Sequence, residues 1–81
     1  MKSGRDYSWW VSYSWEYEYF DSEENDWLKY DDFDSRRFDC LKKDIKKTVT
    51  EHIKEYELQG EEYRNLKVHI HDFYMTTTEE V

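Results

Sequence analysis

The chain has 81 residues and a formal net charge of −8, with 40% charged and 20% aromatic side chains. A domain of this size buries only about 60–65% of the surface that its unfolded chain exposes. The four Trp, eight Tyr and four Phe residues compensate for the small core, since aromatic side chains bury large areas. The absence of proline and the small number of glycines argue against disorder. We expect one ordered domain over residues 1–81, with fraying at residues 1–6 and 77–81.

The charge and the cysteine content limit the partners and the compartment. A strongly acidic domain is repelled by nucleic-acid phosphates and by anionic lipid, so a basic protein is the expected partner. The single cysteine, Cys40, cannot form an intramolecular disulfide, whereas small secreted domains usually contain several. No apolar signal core and no membrane-spanning stretch of about 18–20 apolar residues is present. We expect a cytoplasmic protein that binds neither nucleic acid nor membrane directly.

Residues 7–19 alternate strictly between large apolar and polar side chains. Every odd position holds Tyr, Trp or Val, and the even positions other than Trp10 hold Ser or Glu. A period of two made of good strand formers predicts a half-buried β-strand. Trp10 and Phe20 place large apolar groups on the polar face of this strand. They indicate either partial cover by a loop or terminus, or an exposed contact surface.

The next two segments differ in how clearly they can be interpreted. Residues 21–26 read Asp-Ser-Glu-Glu-Asn-Asp, which predicts a polar turn. Residues 27–33 contain apolar side chains without a clean period. We predict a short second strand that closes a hairpin, and an irregular loop or a helical turn remains the alternative.

A long amphipathic helix is predicted after this hairpin. Asp34 or Ser35 can cap its N-terminus, and Gly60 is the expected stop. The inward positions are spaced by three or four residues and are Phe38, Leu41, Ile45, Val49, Ile53 and Tyr56. The pattern predicts a helix over about residues 35–59, roughly 36 Å long. Its outer surface carries a basic strip of Arg36, Lys43, Lys47 and Lys54.

A last strand is predicted over residues 63–78. Leu66, Val68 and Ile70 share one face, but the apolar residues Phe73 and Met75 fall on the opposite parity. A β-bulge near His71 would return both sets to the core side. The predicted fold is therefore α+β, in the order β-β-α-β, with a small antiparallel sheet packed on one long helix. Its predicted core is Trp9, Val11, Tyr13, Trp15, Leu41, Ile45, Val49, Ile53, Val68 and Ile70.

Acidic residues are concentrated between positions 16 and 34, where Lys29 is the only base. Such a run can be a solvated hairpin that maintains solubility. It can also present carboxylates to an Arg- and Lys-rich site and imitate phosphates there. On the second interpretation the partner-binding residues are the acidic run and its neighbouring aromatics, namely Glu16, Glu18, Asp21, Glu23, Glu24, Asp26, Trp27, Asp31, Asp32, Asp34, Trp10 and Phe20.

Signals for catalysis and metal binding are weak. His69 and His71 form a His-x-His pair beside Asp72, but alternating histidines arise easily in a strand and no Cys-x-x-Cys accompanies them. A helical wheel places Cys40 away from His52, which disfavours a Cys-His nucleophile. No Gly-rich phosphate loop is present. We expect no catalytic, cofactor or metal site, and no enzymatic activity.

In its size, acidity, abundance of Trp and Tyr, and lone cysteine, the chain resembles the short accessory proteins with which bacteriophages inhibit host defence or transcription machinery. The resemblance covers overall character and no motif. Acidic members of that class mimic nucleic acid and block restriction or CRISPR complexes, so the resemblance implies a stoichiometric inhibitor in the host cytoplasm, acting through residues 16–34. The basic strip on the predicted helix is a departure from this class, because a uniform mimic of phosphates would not need it.

Two other functions remain open. The first is a self-associating assembly protein, with a homodimer as the expected form, because a long first strand at a sheet edge with Trp10 and Phe20 exposed would pair readily. The second, more distant, is a small nucleic-acid- or metal-binding module.

Overall fold

The computed structural model describes residues 8–76. It contains β1 (Ser8–Asp21), β2 (Asp26–Asp39), α1 (Ile45–Tyr56) and β3 (Tyr63–Met75), with a 3₁₀ turn at Lys42–Asp44 before α1. The strands form one antiparallel sheet in the order β2-β1-β3. The fold is α+β as predicted, although the 3₁₀ turn was not predicted and the helix is shorter than expected. The predicted fraying at residues 1–6 and 77–81 lies outside the described residues.

The alternating first strand is confirmed, and it lies at the centre of the sheet. Its odd side chains from Trp9 to Tyr17 are buried, while the even ones from Ser12 to Phe20 are partly exposed. The buried face packs with α1 in a single cluster of apolar residues. Pairing on both sides leaves β2 and β3 as the edges. The expectation that the first strand lies at an edge is therefore wrong.

Strand β2 is twice as long as predicted and takes over the start of the predicted helix. The pairing of β1 with β2 continues without a shift from Asp21 opposite Asp26 to Ser8 opposite Asp39. Residues 34–39 therefore complete the hairpin, because the backbone of β1 offers them hydrogen-bond partners that a helix start would lose. In this register Phe38 packs beside Trp9 on the buried face.

The helix consequently differs from its prediction in length and in its outer surface. It has 12 residues, about 18 Å at 1.5 Å per residue. Its buried residues are Ile45, Val49 and Ile53, as predicted. Arg36 lies in β2, so the predicted basic strip does not form one helical surface. Among residues 8–76 no helix is long and apolar enough to cross a membrane.

Two side chains of the predicted inner surface are exposed, and a residue outside it is buried. Leu41 was predicted in the core but is 41% exposed, because it precedes the 3₁₀ turn rather than lying inside a helix. Tyr56 at the end of α1 is also exposed. Leu58, in the loop that follows, is buried instead. Cys40 also lies before the 3₁₀ turn, where its carbonyl accepts a hydrogen bond from the Trp9 indole at 2.9 Å.

Strand β3 contains two irregularities, one of which was predicted. Ser12 pairs with Asp72 and Tyr13 with Ile70, so His71 is the extra residue of a bulge. This returns Phe73 to the side of Trp9, with ring centroids 5.7 Å apart, although Phe73 remains partly exposed. A second shift lies near Asn65, whose φ of 59° is in the left-handed region that Asn tolerates better than most residues.

Substituting Ile45 and Leu41 separately tests the revised core. Ile45→Ala should lower the free energy of unfolding by about 2–5 kcal/mol, because it removes buried methyl groups and leaves a cavity. Leu41→Ala should lower it by no more than about 0.5 kcal/mol, the usual range for an exposed position. Denaturant titration of both variants measures the difference. Equal losses would return Leu41 to the core and contradict the strand at residues 34–39.

Candidate protein-binding surface

The face of the sheet opposite α1 carries the even side chains of β1 and their cross-strand neighbours. We call it the open face, since no element among residues 8–76 covers it. At one end of this face Phe20 lies beside Trp27, and at the other end Trp10 lies between Arg37 and Tyr74. The predicted site residues on this face are Trp10, Glu16, Glu18, Phe20, Trp27 and Asp31.

Glu16 and Glu18, at one end of the predicted acidic run, each lie near a basic side chain of β3. The Arg64 guanidinium Nε lies 2.6 Å from Glu18 Oε1, and Asn65 Nδ2 donates to the same oxygen at 3.1 Å. The hydrogen bond from Arg64 lowers the pKa of Glu18. Lys67 Nζ lies 3.9 Å from Glu16 Oε2. Glu18 is therefore tied to β3 by two close contacts, whereas the longer and more exposed contact of Glu16 with Lys67 contributes little.

The predicted aromatic contacts fall at opposite ends of the open face. Phe20 and Trp27 form an edge-to-face pair with centroids 5.5 Å apart, and the Arg64 guanidinium stacks 4.2 Å from the centroid of Trp27. Trp10 lies ten residues from Phe20 along β1, which is about 33 Å. It is 38% exposed and neighbours Tyr74. The predicted aromatics therefore form two separate sites rather than one patch.

The other seven predicted carboxylates follow the turn and β2 along one edge of the molecule. We call this set the acidic edge, and it consists of Asp21, Glu23, Glu24, Asp26, Asp31, Asp32 and Asp34. All are exposed except Asp21 and Asp34, which are partly buried, and Asp34 also pairs with the Arg36 guanidinium at 3.4 Å. Asp31 lies directly opposite Glu16 on the open face, so these two carboxylates share one row of the sheet.

Three aspartates of the acidic edge accept hydrogen bonds from the backbone amide of the next residue. The N···O distances are 2.7 Å for Asp26 to Trp27, and 2.8 Å both for Asp32 to Phe33 and for Asp34 to Ser35. Alternate amides of an edge strand point away from the sheet, and free ones are a template for pairing with another chain. These carboxylates occupy such donors at Trp27, Phe33 and Ser35. The acidic edge thus displays charge, and three of the outward amides of β2 are already occupied.

The weak catalytic and metal signals find little support in the geometry. Ser14 Oγ lies 2.7 Å from His71 Nε2, but the pair is exposed and the carboxylate of Asp72 bonds the amide of Phe73 instead. Burial lowers the pKa of His52, which lies between the rings of Phe38 and Tyr56. Within residues 8–76, no group of three or more His, Cys, Asp or Glu side chains could hold a metal ion.

Several surface residues were missed by the sequence analysis. Phe33 on β2 is 78% exposed, and it shares the parity of Trp27, so a one-to-one hairpin register would have placed it on the open face. Arg64 and Lys67 showed no comparable signal, because their role depends on pairing with β1. The chain matches no family model, no curated protein and no solved structure. The surface itself is therefore the basis for a functional proposal.

Removing two of the amide-capping aspartates should open the β2 edge. Asp32→Ala combined with Asp34→Ala frees the amides of Phe33 and Ser35, so we expect concentration-dependent oligomers beyond those of the unchanged protein. Sedimentation velocity over a concentration series measures this. The matched control is Glu24→Ala with Asp31→Ala, which removes the same charge from the same edge but no amide contact. If the two variants associate equally, charge repulsion alone prevents the β2 edges of different molecules from pairing.

Proposed function

We propose that the protein is a non-catalytic binding module whose acidic edge occupies a basic, nucleic-acid-handling site on a partner protein. It acts stoichiometrically, as an inhibitor that mimics nucleic acid, in the manner of the small acidic phage proteins that it resembles. We place it in the cytoplasm, where Cys40 stays reduced. The observation that carries the proposal is the group of exposed carboxylates in the turn and on the edge strand β2, three of whose outward amides are capped.

The spacing of the acidic edge favours mimicry of one strand. Asp32 and Asp34 lie on the same side of β2, two residues apart, which is about 6.7 Å. A nucleic-acid strand carries one charge per about 3.4 Å of helix axis. Asp32 and Asp34 therefore present about half that charge density on the α1 side of β2, and Asp31 adds a carboxylate on the open face. A groove that binds a single strand through spaced Arg and Lys side chains is the complementary site.

The hairpin end supplies an apolar anchor next to this charge. Phe20 and Trp27 pack together beside Asp26, and Arg64 stacks on Trp27. Trp and Arg are enriched among residues that dominate binding energy, whereas rim charges mainly set the association rate. We assign the acidic edge to steering and Trp27 to retention. Trp10, about 33 Å away along β1, belongs to a different contact.

Charge reversal on the acidic edge tests the proposal through the association rate. Glu23→Lys, Glu24→Lys and Asp31→Lys together should lower the partner on-rate by about tenfold or more at low salt, and raised salt should shrink the difference. None of the three carboxylates accepts an amide hydrogen bond from residues 8–76, so the fold should be retained. The partner is obtained by affinity capture and mass spectrometry, and surface plasmon resonance gives the rates.

The matched control reverses three exposed carboxylates on the helix side, Glu51→Lys, Glu55→Lys and Glu61→Lys. The control variant has the same net charge as the acidic-edge variant. If the acidic edge itself is recognised, the on-rate of the control should fall much less. Trp27→Ala should act mainly on the off-rate. If both triple variants slow association equally, only net charge matters, and if neither does, the acidic edge is a solvated hairpin.

Self-association is the second candidate function, and the open face favours it. Trp10, Phe33 and Tyr74 are exposed there by 38%, 78% and 57%, and exposed aromatics of this size are typical of interfaces. A twofold dimer is the commonest arrangement for such a contact. Trp10→Ser with Tyr74→Ser should then weaken the dimer at least tenfold by equilibrium sedimentation. A single 10.2 kDa species at high concentration would exclude this candidate.

A further inference from the structure

The two free edges of the sheet are not closed equally. On β2, aspartates cap the amides of Trp27, Phe33 and Ser35, and the exposed carboxylate of Asp31 lies between them. On β3, Asp72 caps the amide of Phe73 at 2.8 Å, just beyond the bulge at His71. Among the described residues, no side chain accepts a hydrogen bond from a backbone amide of residues 64–70. This stretch of β3 is the part of the sheet edge where strand addition meets no carboxylate.

The same stretch forms one wall of a groove beside α1. The groove has a volume of about 540 Å³. Leu66 and Val68 provide an apolar floor from β3, and Tyr63 lies at the end where the strand begins. Lys67 also lines the groove, although its ammonium group reaches Glu16 on the open face. The edge of β3 is therefore exposed to anything that enters.

The opposite wall is a basic surface of α1. Lys46, Thr50 and Lys54 recur at intervals of four residues and so share one side of the helix. Neither lysine forms an ion pair within the described part of the chain. The lining of the groove contains no carboxylate, although acidic residues outnumber basic ones by 20 to 12 in the whole chain. The groove is thus a locally basic site on an acidic protein.

We propose that this groove binds an extended acidic segment of another protein, which adds to β3 at residues 66–70 as a fourth strand. Main-chain hydrogen bonds to an exposed edge supply affinity in such complexes, and alternate side chains supply specificity. Successive groove-facing residues of the segment are about 6.7 Å apart. Lys46, Thr50 and Lys54 are spaced by about 6 Å each along α1. Two acidic side chains four residues apart therefore match the two lysines, with a β-branched residue facing Thr50 between them.

A second copy of this chain fits the groove poorly. Its β2 has outward amides already bonded to Asp26, Asp32 and Asp34. Its β3, added antiparallel across a twofold axis, would bring Lys46 and Lys54 of both copies to the same seam, where they repel. The groove is separate from the acidic edge, so the result of the charge reversal on the acidic edge does not decide this proposal.

A fluorescein-labelled hexapeptide of sequence Glu-Thr-Val-Thr-Glu-Thr tests the proposal. Fluorescence anisotropy should show saturable binding, and NMR should place the amide shifts at residues 66–70 of β3. Lys46→Glu with Lys54→Glu should weaken binding by about tenfold or more, since two attractive pairs become repulsive. The matched control, Lys43→Glu with Lys47→Glu, makes the same charge change outside the groove and should alter affinity by less than about threefold.

Two further peptides separate strand addition from simple charge attraction. The counterpart with lysine in place of glutamate should bind at least about tenfold more weakly, and a version N-methylated at alternate amides should lose most of its affinity because it cannot pair with the edge. Equal binding by any of these, or equal losses in the two double variants, would overturn the proposal. NMR shifts confined to β2 would also overturn it. So would concentration-dependent shifts of residues 66–70 in the absence of peptide, which would indicate self-association. A third contrary result is no binding at about 5 mM peptide, a concentration near the dissociation constants of the weakest specific complexes.

Discussion

Strand β1 forms backbone hydrogen bonds on both sides, and this double pairing determines the rest of the structure. Its odd-numbered aromatics need a cover, which α1 provides through Ile45, Val49 and Ile53. Its even-numbered side chains are left on the open face. A strand of 14 residues spans about 46 Å, whereas α1 covers only about 18 Å. The described molecule is accordingly long and narrow, at 54 × 21 × 21 Å.

A three-stranded sheet with β1 at its centre has two free edges, and their chemistry differs. The β2 edge carries carboxylates that both repel other acidic surfaces and occupy outward amides. The β3 edge instead borders Lys46 and Lys54, and its amides between the two bulges meet no such cap among the described residues. The chain therefore offers a charged edge suited to a basic partner and, separately, a basic groove suited to an acidic strand.

The features that were predictable from sequence are local ones. The alternation around Trp9 to Tyr17, the polar turn at residues 21–26, the helical spacing of Ile45, Val49 and Ile53, and the bulge at His71 each follow from neighbours in the chain. The helix prediction was wrong at residues 34–39, because a capping residue and a helical spacing of apolar residues are local signals too. Their strand conformation comes from partners about 20–30 positions earlier in β1.

The candidate site shows the same division. The acidic run was evident from composition, but its separation into paired and free carboxylates depends on Arg64 and Lys67 in β3. Likewise, Lys46 and Lys54 resemble any solvated lysines until β3 is placed beside them. The position of Trp10 far from Trp27 follows once the hairpin register is known. Cross-strand register is the information that a single sequence does not contain.

Residue-by-residue amide hydrogen exchange measures the double pairing of β1 most directly. Consecutive amides of β1 should be protected, because neighbouring residues bond alternately to β2 and β3. On β2 only alternate amides should be protected, except where Asp26, Asp32 and Asp34 slow the exchange of Trp27, Phe33 and Ser35. Fast exchange at every second amide of β1, with consecutive protection along β2 or β3, would mean that β1 lies at an edge and would contradict this structure.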